Sequence, residues 1–167
     1  GDSIVVMLED LGFGECRLCA IVPETDRTVN RMADVSALIQ PGHQNLRVAT
    51  QFPNITRRFF EERQITHATF IVAEGALEIA PLIGYADMVT DLVSTGITLR
   101  DNRLKILEDG EMLKSQACLI ANRENLVASR EVMNVARQLL EFIVAMLRAK
   151  NNVAIFEIGR ASCRERV

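Results

Sequence analysis

Residues 91–99 read D-L-V-S-T-G-I-T-L, and this run contains the residue types that a phosphate-binding turn uses. Gly96 lets the backbone take a positive φ and come close to a ligand. Successive N–H groups in such a turn form an anion-binding nest. Ser94, Thr95 and Thr98 add hydroxyl donors, and a helical turn opening at Thr98 would point its N-terminus at the same anion. Asp91 repels a phosphate. Its carboxylate suits sugar hydroxyls, or a magnesium ion that bridges to pyrophosphate oxygens. Turns of S-T-G-x-T composition are common, so the loop alone does not identify a site. Upstream, Glu78 and Asp87 read by default as surface or helix-cap charges.

Such a loop has to be delivered by a strand. Residues 88–93, M-V-T-D-L-V, read as that strand, with 94–99 at its carboxyl end. Two strands precede it, at residues 46–50 (L-R-V-A-T) and 68–73 (A-T-F-I-V-A). Between those two, Pro53 suits the first turn of a helix, where its missing N–H has no partner. Ile55 and Phe59, four apart, mark the apolar side of that helix. Residues 76–83 are expected to form a second helix, ended by Gly84. Strands and helices alternating in this way predict a parallel α/β unit. Ligands bind such sheets at the carboxyl ends of the strands.

The remaining elements are more scattered. Residues 16–22, C-R-L-C-A-I-V, read as a strand stopped by Pro23, and residues 35–39 as a short helix broken by Pro41-Gly42. Residues 115–121 form another strand. From 125 to 148, Ala128, Val132, Val135, Leu139, Ile143 and Met146 recur at helical spacing, which predicts one long amphipathic helix packed on a sheet. Residues 153–156 read as the start of a further strand.

Composition excludes several roles. The 167 residues are 49% hydrophobic and 25% charged, enough for one domain or two small lobes with a core. The net charge is -3, Trp is absent and Tyr occurs once, which disfavours nucleic acid as a partner. The weakly charged stretch 65–86 contains Glu74, Glu78, Pro81 and two glycines, so it is no membrane span. Asp2, Glu9 and Asp10 interrupt the early apolar run, so no signal peptide opens the chain. Cys16 and Cys19 lack the second pair of a structural zinc site, and His43 and His67 lie far off in sequence. They read as reduced cysteines of an intracellular protein.

The wider spacing is specific. Glu78, five residues, Gly84, one residue, Ala86, two residues, Val89, one residue, Asp91-Leu92, two residues and T-G-x-T-L resembles the signature of ATP phosphoribosyltransferases without a departure. The flanks agree: LGFGECRLCAIVPE, LRVATQFPNITRRFF, EGALEIAPLIGYAD, SQACLIANR and ARQLLEFIVAMLRA resemble successive segments of that family over residues 8–156. The resemblance implies two α/β lobes like those of periplasmic binding proteins (type II), with the active site in the cleft. It implies that N1 of ATP attacks C1 of phosphoribosyl pyrophosphate and releases pyrophosphate with Mg2+, the first step of histidine biosynthesis. Ser94, Thr95, Gly96, Ile97, Thr98 and Leu99 would hold the 5-phosphate, and Asp91 would sit near the ribose. Glu78 and Asp87 match the motif either as cleft residues or as lobe packing. A cytoplasmic or plastid enzyme, homo-oligomeric at full length, is implied as well.

Placed on that family, residues 1–41 correspond to the end of the first lobe and the crossover, and 42–110 to the second lobe. Residues 111–150 correspond to the return strand and closing helix of the first lobe, and 151–157 to the start of a histidine-binding regulatory domain. About half of the first lobe is expected to precede Gly1, so the piece given is expected to have little activity alone. Residues 158–167, I-G-R-A-S-C-R-E-R-V, resemble a translated sequencing adapter, with a natural basic tail as the alternative. The other functional class that the architecture allows is a non-enzymatic solute-binding module. Such a module has no need of the Glu78-to-Leu99 spacing.

Overall fold

Residues 18–22, L-C-A-I-V, are all buried, as in a strand covered on both faces. The structure, a computed structural model, describes residues 3–151. The strand expected at 153–156 and the tail 158–167 lie outside them.

The chain divides into two units, Phe13–Gln116 and the segments Gly1–Gly12 with Ala117–Val167. Residues 1–41 were expected to hold the end of the first lobe and the crossover, and 111–150 its return strand and closing helix; residues 13–41 and 111–116 lie in the same unit as the loop. Long-range pairing decides this. The strand at 16–23 is hydrogen-bonded to the strand that carries the loop, which its position in sequence does not reveal.

In chain order the strands are β1 Ile4–Leu8, β2 Cys16–Pro23, β3 Leu46–Thr50, β4 Ala68–Val72, β5 Met88–Val93, β6 Leu104–Ser115 and β7 Leu119–Asn122. The helices are α1 Pro53–Glu62, α2 Ile97–Asp101, α3 Arg123–Ala128 and α4 Arg130–Asn151. One sheet has the order β4-β3-β5-β2-β6. β3 runs parallel to β4 and to β5, as expected, and β2 runs antiparallel to β5 and β6.

Alternation along the strands feeds two cores. Ala20, Val22, Val48 and Met88 face one side, where Phe59 and Phe60 of α1 and the 3₁₀ turn Met32–Leu38 cover them. Cys19, Ile21, Ala49, Val89 and Val93 face the other side, under Leu77, Ala80 and Ala86. α1 opens with Pro53 at its first turn and is stopped by Gln64 at φ 60.

Three elements differ from expectation. The helix expected at 76–83 is only a 3₁₀ turn, Leu77–Ile79, followed by turns. Gly75 at φ 95 and Gly84 at φ 70 bracket it, and Pro81 supplies no N–H, so no longer helix closes. The expected helix 125–148 is split into α3 and α4 at Ser129, which is extended (φ −131, ψ 119) and caps Val132 N through Oγ at 3.3 Å. The strand expected at 115–121 is the end of β6, a break and then β7. The other eleven of the 12 residues of β6 give little sequence signal because the strand bulges: Cys19 pairs with Glu111 but Ile21 with Ile106. Gly110 sits in that bulge. A Cβ there would lie 3.0 Å from the Cβ atoms of Ala20 and Leu107 and 3.1 Å from Ala20 O. β1 was also not foreseen. It pairs antiparallel with β7 in a separate two-stranded sheet.

A polar cluster lies inside the first core. Thr50, Thr56 and Thr90 are fully buried, and their hydroxyls close a triangle with sides of 3.1, 2.9 and 2.7 Å. Thr50 Oγ1 also accepts the Phe52 N–H at 2.9 Å. The triangle ties the end of β3, the first turn of α1 and the middle of β5 together. Replacing Thr90 by Val keeps the shape but removes two sides and leaves buried hydroxyls short of partners. The expected cost is about 1–3 kcal/mol. A urea titration checks it, with the midpoint lowered and the slope unchanged.

Candidate functional site

β5 is buried at its start and partly open near its end. Met88, Val89 and Thr90 are buried, Asp91 is half-buried, Leu92 is exposed and Val93 is buried again. The chain then turns through Ser94 and Thr95 to Gly96, which is left-handed (φ 72, ψ 9) and precedes α2. The helical turn therefore opens at Ile97, one residue before the expected Thr98. A Cβ at Gly96 would find its nearest neighbour, Val93 Cγ1, at 3.9 Å. Space does not demand glycine here. The backbone does, because a β-branched residue at this φ is strained by about 1–2 kcal/mol or more.

This turn encloses a hollow of about 320 Å³. Asp91, Ser94, Thr95, Gly96, Thr98 and Leu99 line it, together with Leu92, Val93 and Glu78. Glu78 arrives from the 3₁₀ turn over the second core, so that turn, although no helix, still delivers its carboxylate to the loop. Ile97 is exposed and does not line the hollow. The lining is therefore a mixture of hydroxyls, backbone and two carboxylates. Burial pushes the Asp91 carboxyl above its ordinary value, and the charge of Glu78 adds to the rise, while the Leu92 N–H, donating to Asp91 Oδ1 at 2.7 Å, works against both.

Asp87, left open between cleft and packing, makes its contacts away from the loop. It precedes β5, whereas the loop follows β5, so the two are roughly 20 Å apart along a strand rising ~3.3 Å per residue. Its side chain is 1% exposed and is held by Arg47. Arg47 donates to it from the backbone N at 2.7 Å, from Nε at 3.2 Å and from Nη2 at 2.6 Å. Arg47 Nη1 also donates to Gly84 O at 2.7 Å. Asp87 thus fastens the start of β5 to the start of β3.

Sequence reasoning missed the neighbours that β2 brings. In the antiparallel register Cys19 lies opposite Asp91, and Arg17 opposite Val93. On the other side of β2, Cys19 lies opposite Glu111. Cys16 and Cys19, three residues apart on one strand, project to opposite faces and do not converge. Burial pushes the Cys19 thiol up, Arg17 pulls it down and Glu111 pushes it up again. No local pattern announces these partners, because both pairings are long-range.

The mixed, doubly covered sheet, with a hollow at the carboxyl end of β5, has the α/β architecture of periplasmic-binding-protein-like (type II) folds. The family model described as HisG, ATP phosphoribosyltransferase, matches residues 1–144, and the chain belongs to that family. It is 34% identical over 169 residues to "ATP phosphoribosyltransferase 1, chloroplastic" of Arabidopsis thaliana, covering 99% of this chain and 41% of that protein. The chain thus spans about two fifths of the length of that curated relative. Among solved structures it resembles the "ATP phosphoribosyl transferase (HisG:HisZ) complex from Thermotoga maritima" (24% identity, TM-score 0.63, 85% of this chain, 63% of that one). It also resembles the GluR0 ligand-binding core with L-glutamate (10% identity, TM-score 0.55, 90% and 62%), a likeness of fold alone. The family match disfavours the solute-binding alternative. Among the described residues no helix is long and apolar enough to cross a membrane.

Two predictions follow from the carboxylates. A carboxyl raised in the folded state binds its proton more tightly there than in the unfolded chain. The stability it contributes is present below the ordinary carboxylate range and is lost as pH climbs through the raised value. Asp91→Asn keeps the Leu92 bond and removes that penalty. The variant is expected to melt higher than wild type at pH 7 and to match it in acid, as thermal scans across pH would show. Asp87→Ala is expected to cost about 1–3 kcal/mol by taking its carboxylate from the partly buried Arg47, and Asp87→Leu with Arg47→Met should recover most of it. Urea unfolding of the two variants gives the comparison.

Proposed function

We propose that this chain is the part of an ATP phosphoribosyltransferase that holds the phosphoribosyl group, and that the whole protein catalyses the first step of histidine biosynthesis. The observation that carries the reading is the hollow at the end of β5, in a chain that matches the family over residues 1–144. The loop supplies backbone N–H groups, hydroxyls and a left-handed glycine, the components of a site for the 5-phosphate. Asp91 and Glu78 suit the ribose hydroxyls as acceptors.

The reaction breaks the bond from C1 of the ribose to the pyrophosphate oxygen and forms one from C1 to N1 of adenine. Charge builds on the ribose as that bond loosens. Catalysis then rests on holding the sugar in place and on stabilising charge, not on a nucleophilic side chain. Asp91 and Glu78, negative and next to the ribose, are suited to a cation-like sugar. Among the described residues no group of three or more His, Cys, Asp or Glu could hold a metal ion by itself. Asp91 and Glu78 fit Mg2+ in the way that substrate-borne magnesium is usually held, with one or two carboxylates and the phosphates completing the shell. When bound, Mg2+ would neutralise the leaving pyrophosphate. ATP and phosphoribosyl pyrophosphate are the substrates on this reading. Assembly into an oligomer and a cytoplasmic or plastid location belong to the same proposal.

The test is binding of phosphoribosyl pyrophosphate by calorimetry to wild type, Gly96→Asn and Gly96→Val. Asn tolerates the left-handed region and should bind within a few-fold of wild type, whereas Val should lose about tenfold or more. Equal affinity for all three would show that the phosphate does not sit in this loop. Joining the chain to the N-terminal region of a full-length relative should then give pyrophosphate release from ATP and phosphoribosyl pyrophosphate.

A further inference from the structure

The hollow has an electrostatic deficit. Two of its lining residues are carboxylates, and no Lys or Arg lines it. A phosphate or pyrophosphate held there brings further negative charge beside Asp91 and Glu78. Backbone N–H groups offset part of that repulsion, but they carry only partial charges.

A full positive charge stands one strand away. β2 is hydrogen-bonded to β5, with Cys19 opposite Asp91 and Arg17 opposite Val93. Paired residues share a face of the sheet. Arg17 therefore projects from the same face as Asp91, beside Val93, the last residue of β5 before the loop and itself part of the hollow's lining. The Arg17 guanidinium rests on Glu111, Nη1 to Oε2 at 3.2 Å, and the side chains are 44% and 37% exposed. Lys114 also reaches Glu111, Nζ to Oε1 at 3.5 Å. Two cations share one carboxylate, so the trio carries a net positive charge. A pair this exposed holds weakly. Phosphate is a better partner for a guanidinium, offering bidentate, charge-assisted bonds. Glu111 keeps Lys114 when Arg17 leaves, so neither carboxylate nor substrate is left unmatched.

Resting on the reading above, we propose that Arg17 is a binding residue for the phosphate-bearing substrate, exchanging Glu111 for a phosphate or pyrophosphate oxygen when the substrate enters. Glu111 is then a competitor that holds the guanidinium on the β6 side of β2 in the empty site. This assigns opposite roles to the two halves of one ion pair, and that is what makes it testable.

The experiment is calorimetric titration of the 167-residue chain with phosphoribosyl pyrophosphate at several salt concentrations, beside urea unfolding of each variant. Arg17→Met should weaken binding about tenfold or more and flatten its dependence on salt, with Arg17→Lys recovering part of the affinity. Glu111→Gln should bind as tightly as wild type or more tightly. A pair that only joins β2 to β6 would give a different pattern: Arg17→Met and Glu111→Gln would lose stability and affinity alike. That pattern, or wild-type affinity in Arg17→Met, overturns the assignment of Arg17 while leaving the loop reading intact. If wild type itself binds no phosphoribosyl pyrophosphate, the loop reading fails and this inference fails with it.

Discussion

One strand carries two opposed requirements. β5 must be immobile at its start and open to solvent near its end, at Asp91 and Leu92, because the loop beyond it can hold a ligand only if its backbone is already in place. The buried pair of Asp87 with Arg47 fixes the start. The hydroxyl triangle of Thr50, Thr56 and Thr90 fixes the middle. Both are polar devices inside a largely apolar interior. Either would be destabilising if a partner were missing, and each is satisfied, since no described buried side-chain nitrogen or oxygen lacks a hydrogen bond. Polar pairing of this kind sets register in a way that Val and Ile, which slide past one another at small cost, do not. Arg47 must meet Asp87 and Thr90 must meet Thr50, so β3 and β5 have one alignment. The loop inherits its position from that alignment.

The end of the strand follows a different logic. Asp91 lies where burial and a second carboxylate both oppose its charge. A chain selected only for stability would place an uncharged residue there. A ligand that brings a sugar's hydroxyls or a cation would relieve the conflict, so the unfavourable term in the empty protein becomes part of the favourable term on binding. Gly96 shows the same trade in the backbone. It gives up conformational entropy to hold a left-handed turn that has room for a side chain but not for its φ.

The parallel part of the sheet, α1 and the loop at the strand's end were legible in the sequence because each is local. Leu46 to Val93 contains its own strands, breakers and caps, and alternation and helical spacing report them directly. β6 was not legible, because the bulge around Gly110 places Glu108 and Asp109 where an alternating strand would have apolar residues. Those two carboxylates are nonetheless occupied: Glu108 pairs with Arg31 at 2.9 Å and Asp109 accepts the Met32 N–H at 2.8 Å. Charge in mid-strand was the trace of a long-range contact, and nothing nearby in sequence names its partner. The role of Asp87 was half-legible for the same reason. It falls between Ala86 and Val89, inside the motif, but whether it meets ligand or packing depends on Arg47, forty residues earlier.

The likeness to a glutamate-binding core at 10% identity shows how little of the function lies in the sheet. Open α/β sheets of this kind bring loops from several strands to one end, and the chemistry is decided by what those loops carry. Here the loop carries hydroxyls and backbone, with the carboxylates of Asp91 and Glu78 on the wall of the hollow. A nest alone would accept any phosphate. A wall with Asp91 and Glu78 penalises a bare anion and favours one attached to a group that can satisfy them, such as a polyhydroxylated sugar or a magnesium-bound pyrophosphate. On the proposed reading the repulsion is selective: it would cost affinity for inorganic phosphate and sulfate more than affinity for a sugar phosphate, so that the acidic wall would narrow what the loop accepts.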